Sequence, residues 1–112
     1  MRVYKILPRT DWIAAQTGGQ FLGSPVDLAD GYIHLSTAAQ AGETARKYFS
    51  GLSDLVVLEI EGEDLGADLR WEPSRGGALF PHLYAPLAVA KVLAVHDAPL
   101  GRDGVPMIRV PA

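Results

Sequence analysis

Three short stretches of the sequence gather the side chains that can bind a ligand or carry charge. Residues 30–37, DGYIHLST, place His34, Ser36 and Thr37 where a short strand is predicted to run into a helix. A helix N-terminus offers unpaired N–H groups to an anion, and a nearby imidazole can donate, accept or change charge near neutral pH. We expect these residues to line a ligand site; the alternative is a capped helix beside a histidine hydrogen-bonded in the core.

The second stretch, residues 69–77 (LRWEPSRGG), combines two guanidiniums, a carboxylate and an indole beside a glycine pair. Arg70 and Arg75 are suited to phosphate, because a guanidinium binds phosphate through two parallel hydrogen bonds. The face of Trp71 can stack on a flat ring. The alternative is a surface pair between Arg70 and Glu72 that flanks a buried Trp71.

The third stretch, residues 80–84 (FPHLY), is predicted to be extended. In a strand Phe80, His82 and Tyr84 share one face, because side chains alternate. Such a face is unusual for a core and suits the wall of a cleft, although a half-exposed edge strand would also account for it.

Polar or aromatic groups interrupt the strand pattern in all three stretches. We therefore expect His34, Trp71 and His82 to lie around one pocket. We also expect a phosphate or sulfate ion to bind near the predicted helix start at residues 36–37, or beside one of the arginines at positions 70 and 75.

Other kinds of site lack their usual patterns. There is no cysteine, which excludes disulfides, thiolate zinc sites and a cysteine nucleophile. His34, His82 and His96 have no local metal-ligand spacing, so we expect no metal. The sequence also has no G-x-S-x-G, no P-loop and no G-x-G-x-x-G pattern.

Length and composition predict a single globular domain over residues 1–112. The chain is 48% hydrophobic and 21% charged, which is typical of a folded protein. Its net charge of -3 argues against a nucleic-acid surface but permits a small phosphorylated ligand. No apolar run suits a signal peptide or a membrane span, so we expect a cytoplasmic protein. The oligomeric state is left open.

Hydrophobic periodicity predicts about six short strands and two helices, with both helices in the first half. Thr37 and Gln40 form the S/T-x-x-E/Q pattern that caps a helix start. Residues 20–28 are expected to be irregular. Because several connections are too short for crossovers, we expect an α+β fold with a mostly antiparallel sheet. The helices are placed at 11–17 and 38–49. Six strands are placed at 3–7, 32–35, 55–60, 69–72, 80–84 and 90–95, and a further, last one at 107–110.

Several motifs in the same order resemble the bacterial family called domain of unknown function 952. The resemblance covers essentially the whole chain. It implies the fold of the ADP-ribosyltransferase superfamily, in which the mostly antiparallel sheet is split, while the family's own activity is not established. The motifs that carry it are residues 3–7, Trp12 with Ala15, residues 30–37, residues 69–73 and residues 80–84.

A narrower resemblance concerns residues 33–36 (IHLS), which are similar to the His-Leu-Ser segment of the NAD-dependent tRNA 2'-phosphotransferase, a member of that superfamily. This implies that His34 and Ser36 line a pocket for the ADP-ribose part of NAD. The superfamily's first-strand motif, often His-Gly-Thr, falls near residues 5–7, where lysine replaces the histidine and the small residues are lost, which favours binding without catalysis. The late catalytic glutamate of the toxin-like transferases has no secure counterpart.

Two main hypotheses of function follow. In the first, a cleft between two half-sheets holds NAD or a related phosphorylated nucleotide as substrate, and His34, Glu72 and His82 are the candidate catalytic residues. Cleavage of the nicotinamide–ribose bond passes through an oxocarbenium-like state that a carboxylate can stabilise. In the second, the domain is a non-catalytic ligand sensor, a degenerate transferase or a protein-interaction module. The candidate ligand-binding residues are Tyr4, Lys5, Ser36, Thr37, Arg70, Trp71, Arg75 and Tyr84.

Overall fold

The computed structural model describes residues 1–110, apart from the side chain of Arg75. Within these residues the fold is α+β with antiparallel sheets, as predicted. The strands are β1 Arg2–Pro8, β2 Gln20–Phe21, β3 Ile33–His34, β4 Leu55–Glu61, β5 Leu69–Pro73, β6 Leu79–Leu83, β7 Leu87–Ala88 and β8 Val92–Ala98. The α-helices are α1 Arg9–Gly18, α2 Pro25–Asp30 and α3 Ala38–Tyr48, and short 3-10 helices lie at Gly62–Asp68, Arg75–Gly77 and Val89–Lys91.

The strands form three small sheets. The first has the order β1-β4-β8 and the second the order β3-β6-β5, while β2 and β7 pair with each other. The nearly all-apolar strand β4 lies in the centre of the first sheet and is buried along almost its whole length, which confirms its predicted central position.

Two groups of core residues cover the two faces of the first sheet. Val3 and Leu7 belong to the group that also contains Trp12 of α1. Tyr4 and Ile6 belong to the group that contains Ala45 of α3. Alternate side chains of β1 thus point to opposite faces, and each face is covered by its own helix.

The first and second sheets are joined by the backbone around residue 36. Tyr4 N–H donates to the Ser36 carbonyl at 2.8 Å, and Ser36 N–H donates to the Tyr4 carbonyl at 2.9 Å. One residue earlier, Leu35 N–H donates to the Pro81 carbonyl of β6 at 3.0 Å. The segment that carries His34 is therefore held between the two sheets.

The start of α3 has the predicted capping box. Gln40 N–H donates to Thr37 Oγ1 at 3.2 Å, and Thr37 N–H donates to Gln40 Oε1 at 3.1 Å. The helix ends beside Phe49, as expected. No helix in the described part of the chain is long and apolar enough to cross a membrane.

The segment predicted to be irregular, residues 20–28, contains β2 and most of α2. Pro25 occupies the start of α2, and Ser24 and Asp27 form a capping box. The helix was missed because the Gly23–Pro25 turn signal dominates and only six residues follow before Gly31 ends it.

The last two predicted strands differ from the structure. The strand expected at 90–95 lies at Val92–Ala98, because Val89–Lys91 turns as a 3-10 helix. The strand expected at 107–110 is not formed. Ile108 and Val110 instead pack against the core group that covers the α3 side of the first sheet, which accounts for their apolar character.

Candidate functional site

The buried carboxylate of Asp27 accepts hydrogen bonds from three different residues. The residue is 1% exposed. Its Oδ2 accepts from the Lys5 ammonium at 2.8 Å and from the Ser24 N–H and hydroxyl at 2.9 and 2.8 Å. Its Oδ1 accepts from the His34 backbone N–H at 3.1 Å and lies 2.6 Å from His34 Nδ1. Asp27 therefore ties β1, the start of α2 and β3 to one point.

These bonds explain how the Asp27 carboxylate stays charged in the interior. Burial raises the pKa of Asp27, but the hydrogen bond from His34 and the positive charge and hydrogen bond of Lys5 outweigh burial and hold this pKa well below its ordinary value of 3.8. Burial lowers the pKa of Lys5, and Asp27 opposes that shift. A buried ion pair of this kind is costly to break, because either partner alone would be an uncompensated charge.

His34 links this buried pair to the surface. Its Nδ1 lies 2.6 Å from Asp27 Oδ1, and its Nε2 lies 2.9 Å from Asp30 Oδ2. The ring is 32% exposed and Asp30 is exposed, so the chain of contacts runs outward from buried Lys5 through Asp27 and His34 to the surface carboxylate.

A second histidine–carboxylate pair lies on the neighbouring strands. His82, which is buried, has its Nδ1 2.8 Å from Glu72 Oε1, and the Tyr84 hydroxyl donates to the same oxygen at 2.8 Å. Bonds to His82 and Tyr84 lower the pKa of the half-exposed Glu72, and the bond to Glu72 raises the pKa of Tyr84. The Arg70 guanidinium stacks on the Tyr84 ring, 4.5 Å from its centroid.

Tyr32 connects the two pairs. Its ring stacks on His82 at 4.1 Å between centroids, and it lies 4.6 Å from the ring of His34 and 5.2 Å from that of Tyr84. The two imidazoles meet edge to face at 5.6 Å. We call these four side chains, Tyr32, His34, His82 and Tyr84, the ring cluster.

Strand register brings several predicted site residues to the ring cluster. His34 pairs with His82 across β3 and β6, and Arg70 pairs with the same His82 across β5 and β6. Directly paired residues of antiparallel strands share a face, and Glu72 lies two residues beyond Arg70 on that face. Because β6 lies between β3 and β5, the edge-strand alternative for residues 80–84 does not apply.

Trp71 does not join the ring cluster. It pairs with Pro81, so it points to the opposite face of the sheet from His82. It is 40% exposed and borders a separate groove of about 360 Å³ beside Met1 and Leu69. The expectation of one pocket shared by His34, Trp71 and His82 is therefore wrong for Trp71. The alternative of a buried Trp71 is wrong as well.

Four other candidates make contacts that stabilise the fold and do not belong to the ring cluster. Lys5 is buried in its ion pair, and Tyr4 is buried in the core beneath α3. The buried Ser36 hydroxyl lies 3.0 Å from that of Thr44, and the Thr37 hydroxyl caps α3. The side chain of the remaining candidate, at position 75, lies outside the described part of the structure.

Three residues of the site were not among the sequence candidates: Asp27, Asp30 and Tyr32. The S-x-x-D spacing of Ser24 and Asp27 was a usable signal for the first. Asp30 lies four residues before His34, but it ends α2, so no regular-helix spacing pointed to their contact. Tyr32 was assigned only to a strand pattern.

The assembled site offers complementary groups to a ligand. Arg70 can bind an anion, the rings can stack on a flat group, and the half-exposed Glu72 can accept hydrogen bonds. Among residues 1–110, no three histidine or acidic side chains are placed to hold a metal ion.

Comparison with known proteins gives the family. A family model described as "Protein of unknown function (DUF952)" matches residues 6–95, which is well over half of the chain. The chain belongs to the DUF952 family. No curated protein matches the DUF952 chain.

Solved structures similar to this DUF952 chain come from Caulobacter crescentus. The crystal structure of protein CC0527 is 57% identical, covers 96% of this chain and 94% of its own, and has a TM-score of 0.94. The solution NMR structure of CC0527 is 58% identical, covers 94% and 90%, and has a TM-score of 0.85.

The buried ion pair leads to a first testable expectation. Asp27→Asn leaves the Lys5 ammonium without its carboxylate, so we expect the free energy of unfolding in urea to fall by about 3–5 kcal/mol. The control is the double variant Lys5→Met/Asp27→Asn, in which neither buried charge remains and the loss should be smaller. A double variant at least as unstable as the single one would contradict the assignment.

Acid sensitivity is the second expectation. Because the pKa of Asp27 in the folded chain lies below its ordinary value of 3.8, its contribution to stability is complete above that value and disappears as the pH falls through the folded-state pKa. We expect the unfolding free energy of the wild type to fall more steeply below about pH 4 than that of the Lys5→Met/Asp27→Asn variant. Parallel curves in acid would refute the role of this pair.

Proposed function

We propose that this DUF952 chain binds NAD or a related phosphorylated nucleotide against the ring cluster. One observation carries the proposal. A single face of the β3-β6-β5 sheet presents a stacked guanidinium, a carboxylate held by two donors, and aromatic rings in mutual contact. These are the three kinds of group that a nucleotide needs for its phosphates, its ribose hydroxyls and its flat rings.

Each group has a defined part in this binding mode. Arg70 receives a phosphate, because its guanidinium offers several donors in one plane and its stack on Tyr84 limits its freedom. Glu72 accepts from a ribose hydroxyl, with its carboxylate oriented by His82 and Tyr84. Tyr32 offers its ring for stacking.

The proposed chemistry is that of an ADP-ribosyltransferase-like enzyme. In NAD the bond between the ribose C1' and the nicotinamide nitrogen breaks, and the electron pair leaves with nicotinamide. The hydroxyl of an acceptor, or water when no acceptor is present, bonds to C1' and releases its proton to solvent. Positive charge develops on the ribose in the transition state, where the Glu72 carboxylate stabilises it. His82 positions Glu72. His34 packs against the Tyr32 ring and so helps to hold it in place.

The layout of the sheets supports this reading. Two three-stranded sheets meet at the Tyr4–Ser36 bridge, and the ring cluster lies on the strands of one of them close to that junction. The ADP-ribosyltransferase-like fold that the resemblance implies has a split sheet with its cleft between the two halves, and we infer that the ring-cluster face lines that cleft.

The second candidate is a nucleotide sensor without catalysis, and one feature favours it. Both ring nitrogens of His34 face carboxylates, and Lys5 is committed to Asp27, so neither residue is available as a general base. In this reading the ring cluster binds the nucleotide and transfers nothing.

Nicotinamide release and ADP-ribose affinity distinguish the candidates. We expect the wild type to bind ADP-ribose in calorimetry and to release nicotinamide from NAD, with Glu72→Gln slowing release by about 100-fold or more. The matched control is Trp71→Phe, next to Glu72 but on the opposite face, which should change neither quantity. ADP-ribose binding without nicotinamide release would favour the sensor. No binding of either nucleotide would contradict both candidates.

A further inference from the structure

An apolar groove of about 250 Å³ adjoins the ring cluster. Tyr32 and Tyr84 belong to both, so the groove is continuous with the proposed nucleotide site. Cavities that enclose a whole drug-sized ligand typically measure about 300–1,000 Å³, so this one suits a single ring system. Its outer walls include Leu22, Leu28, Ala85 and Pro86.

Two leucines of the groove wall are exposed. Leu22 is 63% exposed and Leu28 is 65% exposed, and both border the groove. A lone exposed leucine has no special meaning, but two of them beside two tyrosine rings form a continuous apolar surface. A flat, weakly polar group bound there would shield that surface from water.

We propose that the groove is a base subsite, which takes the planar heterocycle of the nucleotide whose phosphate binds Arg70. This inference rests on the proposed function and extends it to the base. Tyr84 places the groove next to Arg70, because its side chain lines the groove and its ring also contacts the Arg70 guanidinium. A ligand with a flat ring and a phosphate separated by one sugar can contact both.

Recognition in the groove relies on stacking. The one charged group in its lining, Asp27, is saturated by Lys5, Ser24 and His34. The Tyr84 hydroxyl already donates to Glu72. Because its walls are apolar and its Asp27 carboxylate and Tyr84 hydroxyl are engaged, the groove selects for a flat ring but distinguishes poorly between one purine and another.

Calorimetry with adenosine monophosphate, adenosine and ribose 5-phosphate tests the subsite, because adenosine lacks the phosphate and ribose 5-phosphate lacks the base. We expect the wild type to bind adenosine monophosphate at least about tenfold more tightly than ribose 5-phosphate, and guanosine monophosphate about as tightly as the adenosine compound. Leu28→Ser should weaken the adenosine compound several-fold and leave ribose 5-phosphate unchanged. The matched control is Val26→Ser, which alters a side chain 57% exposed on the same helix but outside the groove lining, and which should change neither affinity.

The outcomes separate the subsite from the nucleotide proposal. Equal affinities for adenosine monophosphate and ribose 5-phosphate overturn the base subsite and leave phosphate binding intact. Leu28-dependent binding of adenosine, with no gain from the phosphate, supports the groove and overturns the phosphate role of Arg70. Binding of none of these compounds overturns both.

Discussion

The contact between the buried carboxylate of Asp27 and the ammonium of Lys5 is the interaction on which the rest of the site depends. A charge in the protein interior is tolerated only when it is paired and hydrogen-bonded. Asp27 meets this condition by taking partners from β1, from the start of α2 and from β3. The same bonds that stabilise its charge therefore set the position of α2 and the orientation of the His34 ring.

The ring cluster follows from that orientation. β3 has only two residues, so strand pairing alone would hold it weakly. Its bonds to Asp27 on one side and its pairing with β6 on the other place His34 beside His82, and Tyr32 stacks across them. These contacts fix the positions of the ring-cluster side chains, which the two-residue strand β3 alone would not do.

Local patterns made much of the fold predictable. The apolar run of β4 and the capping box of α3 were confirmed because each depends on residues close together in the chain. The pairing of His34 with His82 places those two predicted candidates side by side. The short helix α2 was missed because its six residues carry little periodicity and the preceding turn signal hides its start.

Other features of the site depend on contacts that no local pattern reports. Trp71 and Glu72 are neighbours in sequence, but strand alternation sends them to opposite faces, and the register decides which face carries the rings. Lys5 was a candidate ligand-binding residue, but it is buried in an ion pair with Asp27, which lies 22 positions later in the chain. Burial and partner choice are tertiary properties, so residue type alone could not assign these roles.

Chemical-shift mapping by NMR while ADP-ribose is titrated into the ¹⁵N-labelled chain tests most directly whether the ring-cluster face is the ligand site. If it is, the largest shift changes will fall on Tyr32, Arg70 and Tyr84, with smaller ones along α2. Changes confined to the groove beside Trp71 and Leu69, on the opposite face of the same sheet, would contradict the account, as would the absence of any change at saturating ligand.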